Sequence, residues 1–415
     1  MQPQNHPHSS QSENRNDCSS AAPGCACMEN HLADTAAQAP TATVNPGLMF
    51  HFAPADTQRE QIAQITGKYP VRISPYLEKL LQTSEALRLQ YLPHPDELST
   101  YGTATPFEEG KKASGTYGLE RLYRDRVLIT PHFDCPAYCR FCYKKSRVMR
   151  NKPNMTYAEI DQVALEVGQM TQVRGALITG GDPMMDPAKL FYLLDKLDQL
   201  PNINEIRIGT RGLLTMPHVF TDEICQKIAS YNRRDFQNPL NSQDLAINVH
   251  FNHPDELTPE VLEACYRLTS RGVKLRNQTV LLKGINDTTE TMGHLFQLLL
   301  RNGIIPYYMN HCMPVEGSDY LRTSVAKGLA IYRHLCTESS TAIPHYVYAP
   351  SGGKVHVGPD TQFDYEYRNG LRLIRVEMPY KADEFRQITR KDLPSGHWEN
   401  HEGCIGGYYI DGWDD

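Results

Sequence analysis

The stretch Val127-Leu128-Ile129-Thr130-Pro131-His132-Phe133-Asp134-Cys135-Pro136-Ala137-Tyr138-Cys139-Arg140-Phe141-Cys142 decides how the rest of the chain is read. Its first four residues form a short β-like run, and three cysteines follow on the loop that leaves it. Three thiolates at this spacing suit one soft metal centre, as iron–sulfur ligation demands. A cubane has four irons, so a triplet with no fourth cysteine nearby leaves one iron open to a small molecule. A structural zinc module would bring a second Cys-x2-Cys or a His pair, and none follows.

Working outward, β-like runs recur at 175–179, 205–210, 245–251, 275–282, 306–309 and 346–349, most separated by amphipathic helical stretches. Two helix starts are signed. Thr156-x-x-Glu159 is a capping box, and Thr258-Pro259 places a capping hydroxyl before a first-turn proline. The alternation predicts an α/β fold with parallel strands, as a full or partial barrel or a doubly wound sheet, with its chemistry at the strand C-terminal ends. Upstream, 47–117 is expected to be a helical lead-in, with Ile62, Ile65, Leu77, Leu81 and Leu87 at helical spacing. Residues 1–46 are polar and aperiodic and are expected to form a disordered tail, in which Cys18, Cys25 and Cys27 match no metal module. The barrel is assigned to 118–359, and 360–415 to a C-terminal extension.

Composition narrows the function. The 415 residues include 42 Lys and Arg against 48 Asp and Glu, a net charge of −6, which disfavours nucleic acid or anionic lipid as the main partner. No apolar run is long enough for a bilayer span and no secretory signal opens the chain, so a cytoplasmic enzyme is expected. Eleven cysteines, an odd and uneven set, suit reduced thiols better than a disulfide framework. Cys225 and Cys265 read as core residues.

The triplet, with Phe141 before its last cysteine, resembles the radical S-adenosylmethionine superfamily. The resemblance implies a [4Fe-4S] cluster whose open iron is chelated by S-adenosylmethionine, and an electron donor such as flavodoxin or ferredoxin. Leu177-Ile178-Thr179-Gly180-Gly181-Asp182 ends the next run, where the resemblance implies contact with the methionine amino group. Taken alone, Gly180-Gly181-Asp182 is an ordinary turn.

After the last run stands Tyr348-Ala349-Pro350-Ser351-Gly352-Gly353-Lys354. A lysine there could be a Schiff-base lysine, a phosphate ligand or a surface turn, and the phosphate-loop pattern fails for want of its first glycine and a hydroxyl after Lys354. Together with the triplet, however, 118–359 resembles the lysine 2,3-aminomutase family. The match runs through Tyr123-x-Asp125-Arg126, Arg207-Ile208-Gly209-Thr210-Arg211, His250-Phe251-Asn252-His253-Pro254 and Asn277-Gln278-Thr279. The resemblance implies a partial (β/α)6-type barrel and pyridoxal 5′-phosphate carried by Lys354, with Tyr123 and Arg126 beside it. It also implies His250 and Gln278 near S-adenosylmethionine, Arg211 among the cofactor-binding residues, and conversion of an α- to a β-amino acid.

Departures from the family shape the substrate expectation. Two aspartates of lysine-specific members are replaced here by Met313 and Tyr348, neither of which balances a buried ammonium. The substrate-carboxylate arginine becomes Lys144, which keeps charge but loses the bidentate fork. Free lysine is therefore not the expected substrate unless Glu316 or Asp319 supplies the missing charge. Thr288 and a single late Cys404 replace the family's structural zinc ligands, which leaves a homo-oligomer open. Two alternatives accompany this reading: a radical enzyme that ends in elimination or decarboxylation, and a non-catalytic iron–sulfur or zinc scaffold.

Overall fold

The computed structural model describes residues 57–106, 116–150, 153–339 and 343–414, so the expectations for 1–46 and its three cysteines lie outside the described residues. The helical lead-in consists of α1 (Thr57–Lys68), α2 (Pro75–Leu81) and α3 (Glu85–Tyr91), the last two capped by Ser74 and Ser84. Ile65, Leu77, Leu81 and Leu87 are fully buried, as their spacing predicts.

An antiparallel hairpin, β1 (Leu119–Tyr123) and β2 (Arg126–Ile129), opens the main sheet. The helix α4 (Tyr157–Gln169) then leads to β3 (Gly175–Ile178), and α5 (Pro187–Asp198) to β4 (Glu205–Gly209). The short α6 (Gly212–Thr215) and α7 (Asp222–Ser230) precede β5 (Asp244–Val249), and α8 (Pro259–Thr269) precedes β6 (Lys274–Leu281). Next come α9 (Thr289–Arg301), β7 (Ile304–His311), α10 (Val325–Glu338), β8 (His345–Tyr348) and the short β9 (Val355–Val357).

Strands pair in chain order from β1 to β9, and every neighbouring pair from β2 to β8 is parallel. The order is linear, so the sheet ends on β1 and β9: an incomplete barrel of β/α units, as expected. Alternation sorts the side chains. Ile206, Ile208, Leu245, Ile247 and Leu275 are fully buried, whereas Arg126, Arg207, Arg276, Gln278 and Tyr308 lie on the half-buried face. Cys225 on α7 and Cys265 on α8 are fully buried core residues. Thr258 caps α8 ahead of Pro259, and Thr288 caps α9.

The extension has more order than its weak periodicity suggests. Strands β10 (Asp364–Arg368), β11 (Leu371–Lys381), β12 (His397–Glu399) and β13 (Cys404–Ile410) form an antiparallel sheet in the order β10-β11-β13-β12, with α11 (Ala382–Thr389) after β11. It packs on the barrel. The Asp411 carboxylate accepts the Val325 N–H at 2.9 Å at the start of α10, and Trp413 donates to Asp319 at 2.6 Å. The helix α11 packs on β1, the free edge at the other side of the sheet. Among the described residues no helix is long and apolar enough to cross a membrane.

The capping box on α4 is formed in both directions: Glu159 N–H donates to Thr156 Oγ1 at 3.2 Å and Thr156 N–H to Glu159 Oε2 at 2.7 Å. Thr156→Ala is expected to cost about 1 kcal/mol of stability in urea unfolding, without changing the dependence on denaturant.

Candidate active site

The cysteine loop has no helix or strand of its own, and a buried ionic clamp holds it. Arg140, between the second and third cysteines, forms a fork on the Glu97 carboxylate, with Nε at 2.8 Å, and donates to the Pro70 carbonyl at 2.9 Å. Lys145 Nζ reaches the same carboxylate at 3.1 Å and the Arg140 carbonyl at 3.0 Å. Glu97 and Arg140 are wholly buried, so each charge depends on its partner. Further bonds join the loop to the lead-in, from Tyr138 N–H to Arg72 O at 2.9 Å and from Arg140 N–H to Gln90 O at 2.8 Å.

The three thiols are free and share one electrostatic environment. Burial pushes Cys135 well above the ordinary thiol range, and the neighbouring thiols push it further. Cys142 rises to about 12 for the same two reasons. Cys135 and Cys142 are thus held towards the protonated form, and a bound metal would draw off their protons. Among the described residues no three His, Cys, Asp or Glu groups converge as ligands to a single ion. Sulfurs that serve separate corners of a cluster need no such convergence, and the triplet fits a [4Fe-4S] centre.

The glycine turn after β3 supports this loop. A Cβ on Gly180 would lie 2.6 Å from His132 O, and one on Gly181 would lie 2.6 Å from Asp134 N. Gly181 N–H donates to His132 O at 2.8 Å and Asp182 N–H to Asp134 O at 2.7 Å. The close approach that these glycines permit is thus made first to the cysteine loop. Asp182 is turned the same way, since its buried carboxylate accepts from Thr210 Oγ1 at 2.6 Å, Arg211 N at 2.8 Å and Met184 N at 3.1 Å. It braces the end of β4 rather than presenting a free oxygen to a ligand.

Beyond β5, His250 packs against Phe141 in a tilted contact with ring centroids 5.4 Å apart, and its Nε2 is buried without a hydrogen-bond partner. Burial, aided by Arg211, lowers its pKa to about 3, so the ring is neutral. An orphaned ring nitrogen beside the cysteine loop fits a bound polar ligand such as S-adenosylmethionine. Gln278 is half-buried on β6 and paired in register with Tyr308 on β7.

Tyr308 links this group to the lysine, for Lys354 Nζ stands 4.1 Å from the Tyr308 ring centroid. Burial lowers the Lys354 pKa to about 8, and Arg126 and Arg207 act in the same direction. Arg126 lies 5.4 Å from the Tyr123 ring centroid, and its Nε is buried without a partner, as an arginine awaiting an anion would be. Tyr123 is hydrogen-bonded to Tyr380 of β11, whose hydroxyl also accepts the Lys354 backbone N–H. Gly353 has φ +145°, and a Cβ there would meet the Tyr380 ring at 2.6 Å. Expected residues Tyr123, Arg126 and Lys354 are therefore brought together.

The substrate expectations divide. Lys144 is buried and near enough to Cys142 to lower that thiol's pKa, so it stays beside the cysteine loop. Met313 is half-buried in the turn after β7. Tyr348 is the correction. It points away from the lysine, 5.5 Å from the His311 ring and 6.0 Å from Tyr409, because β8 alternation places it with Tyr346 on the opposite face from His345, the register partner of Tyr308. Glu316 pairs with Lys68 at 2.6 Å, and Asp319 with Arg322 at 2.8 Å. Neither carboxylate is free for a substrate ammonium.

Four contributors have no role among the expectations from sequence, although Arg207 and Tyr308 stand in stretches that match the family. Arg207 and Tyr308 were discoverable, since both lie at alternate strand positions facing the same side as Arg126. Glu97 and Tyr380 carry no local signal, being far along the chain from the residues they serve.

Comparison with known proteins is consistent with this geometry. The Radical SAM superfamily model matches residues 129–297. A protein of Aquifex aeolicus bearing the L-lysine 2,3-aminomutase name is 35% identical over 304 residues, covering 72% of this chain and 79% of its own. The glutamate 2,3-aminomutase of Clostridioides difficile is 32% identical over 308 residues, 71% of this chain and 69% of that protein. The L-lysine 2,3-aminomutase of Fusobacterium nucleatum is 32% identical over 307 residues, 72% and 69% respectively.

If the glycine turn carries the loop, Gly181→Ala must displace Asp134 and with it Cys135. Anaerobic reconstitution of that variant is expected to retain less iron and sulfide per chain than the wild type; full loading would refute the support role.

Proposed function

We propose a function for a chain that belongs to the lysine 2,3-aminomutase family of radical S-adenosylmethionine isomerases: it moves the α-amino group of an amino acid without a cationic side chain to the adjacent carbon, with pyridoxal 5′-phosphate carried by Lys354. The observation that carries this reading is the register pair Gln278–Tyr308, with Lys354 over the Tyr308 ring. It supports the reading by pairing the strand that the family resemblance assigns to S-adenosylmethionine with the strand beneath the lysine.

When bound, the cluster and S-adenosylmethionine would supply a 5′-deoxyadenosyl radical, and pyridoxal phosphate an aldehyde for the substrate amine and a conjugated ring for the unpaired electron. The chain's own residues do the rest. Lys354 offers an amine that is partly neutral near neutral pH, the form that adds to an aldehyde. Arg126, with its unpartnered Nε, gives the phosphate a guanidinium, and Arg207, whose Nε and Nη2 are on Glu205, adds positive charge nearby. Tyr308 lies beneath the lysine, and the bonded phenols of Tyr123 and Tyr380 wall the site where the sheet is open. Lys144 presents a point charge beside Cys142 for the substrate carboxylate. These side chains are half-buried, and Lys144 buried, which limits the access of water to a reactive radical.

The charge balance supports the substrate class. Glu205 is held by Arg207 at 2.6 Å and Arg276 at 3.2 Å, and Asp244 by Lys274 at 2.7 Å. With Glu316 and Asp319 also engaged, no free carboxylate among the described residues acts on Lys354, and a second ammonium would stand unpaired. A neutral side chain fits, and the relative named for glutamate puts an anionic one within the family's range. A one-electron donor of the flavodoxin or ferredoxin class would reduce the cluster.

Lys354→Ala is expected to abolish the roughly 420 nm absorption of lysine-bound pyridoxal phosphate; retention of that band would move the attachment elsewhere. In the wild type, the rate of loading follows the neutral amine. It should rise by about a hundredfold from pH 6 to a plateau above a midpoint at about 8. A rate still climbing beyond pH 9.5, as an ordinary lysine would give, contradicts the lowered pKa.

A further inference from the structure

Arg211 was expected among cofactor-binding residues, yet its side chain meets a cysteine. It follows β4, and its Nη1 lies 3.1 Å from Cys139 Sγ. The other donors are committed: Nε to His250 O at 3.1 Å, and Nη2 to Gln90 Oε1 at 2.8 Å and Glu256 Oε1 at 3.0 Å. The guanidinium carbon lies 4.9 Å from the Tyr91 ring centroid and 5.0 Å from that of Phe141. The side chain is 9% exposed. Its backbone N–H is tied to Asp182, which also receives Thr210. Few rotamers survive so many restraints, and the N–H aimed at sulfur is fixed before any cluster arrives.

We propose that Arg211 is a positioning residue that fixes Cys139 and raises the reduction potential of the cluster through a hydrogen bond to its sulfur. The inference rests on Cys135, Cys139 and Cys142 holding that cluster. Reduction adds one negative charge to the cluster and its thiolates. A cation and a donor proton next to one of those thiolates stabilise the reduced form more than the oxidised form. The aromatic faces keep water out, which leaves the field less screened. Glu256, buried behind the guanidinium, partly offsets its charge but lies on the Nη2 side, away from the sulfur. The geometry therefore assigns opposite effects to the two groups: the arginine eases reduction and the carboxylate opposes it.

The test uses full-length protein reconstituted without oxygen, its reduced cluster followed by electron paramagnetic resonance during a redox titration. Arg211→Met is expected to shift the midpoint potential to a more negative value at full iron content. Arg211→Lys, a charge without the fork, should fall between. Glu256→Gln should shift it in the positive direction. An unchanged potential in fully loaded Arg211→Met, or shifts of the same sign for Arg211→Met and Glu256→Gln, would overturn the proposal. Should Arg211→Met not take up a cluster, the wild type decides: with ¹⁵N-labelled arginine, the reduced cluster must show a hyperfine-coupled ¹⁵N and an exchangeable proton, and absence of both overturns the assignment. A wild type that assembles no cluster would instead strike at the cysteine reading itself.

Discussion

Parallel pairing from β2 to β8 is the constraint on which the rest of the structure depends. It brings the C-terminal ends of these strands to one rim, so the cysteine loop after β2, the glycine turn after β3, Arg211 after β4, His250 after β5 and the lysine loop after β8 share one end of the sheet. The same linear order leaves two edges of unpaired backbone, which a closed barrel would lack. Here the C-terminal extension lies against both sides of the opening. Tyr380 packs on Gly353 at the β9 side and bonds Tyr123 on β1, while α11 packs on β1. The extension is thus part of the site as well as of the fold.

A second level of order comes from buried charge. Glu97 is surrounded by Arg140 and Lys145, both from the cysteine loop, so its carboxylate determines where a loop without secondary structure comes to rest. Arg211 with Glu256 forms a comparable pair on the other flank of that loop. Around Lys354 the balance is different. Among the described residues Arg126 and Arg207 act on the lysine and Glu205 pairs with Arg207, a surplus of positive charge on which the proposed substrate class rests.

Much of this was legible in the sequence. Periodicity located all the parallel strands, because 205–210 alternates apolar with polar residues and 245–251 is a short, mostly apolar run, and the caps at Thr156 and Thr258 marked helix starts that the structure retains. The cysteine spacing carried the metal chemistry, and Tyr123, Arg126 and Lys354 do meet. What could not be read is what depends on distance in space. Nothing near Glu97 announces a clamp, and nothing near Tyr380 points to a lysine earlier in the chain. Tyr348 misled because position in a motif does not say which face of a strand a side chain takes; β8 turns it towards His311. The Asp182 carboxylate is engaged by Thr210 and two backbone N–H groups, a bracing contact that its place in a glycine turn does not announce.

In the proposed function, a radical generated at the cysteine loop acts on an amino acid held at Lys354 across the same rim. Hydrogen transfer from the substrate measures this directly. The reduced enzyme, supplied with S-adenosylmethionine, pyridoxal phosphate and candidate amino acids deuterated at Cβ, should yield 5′-deoxyadenosine that carries deuterium, together with a β-amino acid, both read by mass spectrometry. Deuterium-free 5′-deoxyadenosine with every neutral and acidic amino acid tried, formed without any β-amino acid, would contradict it.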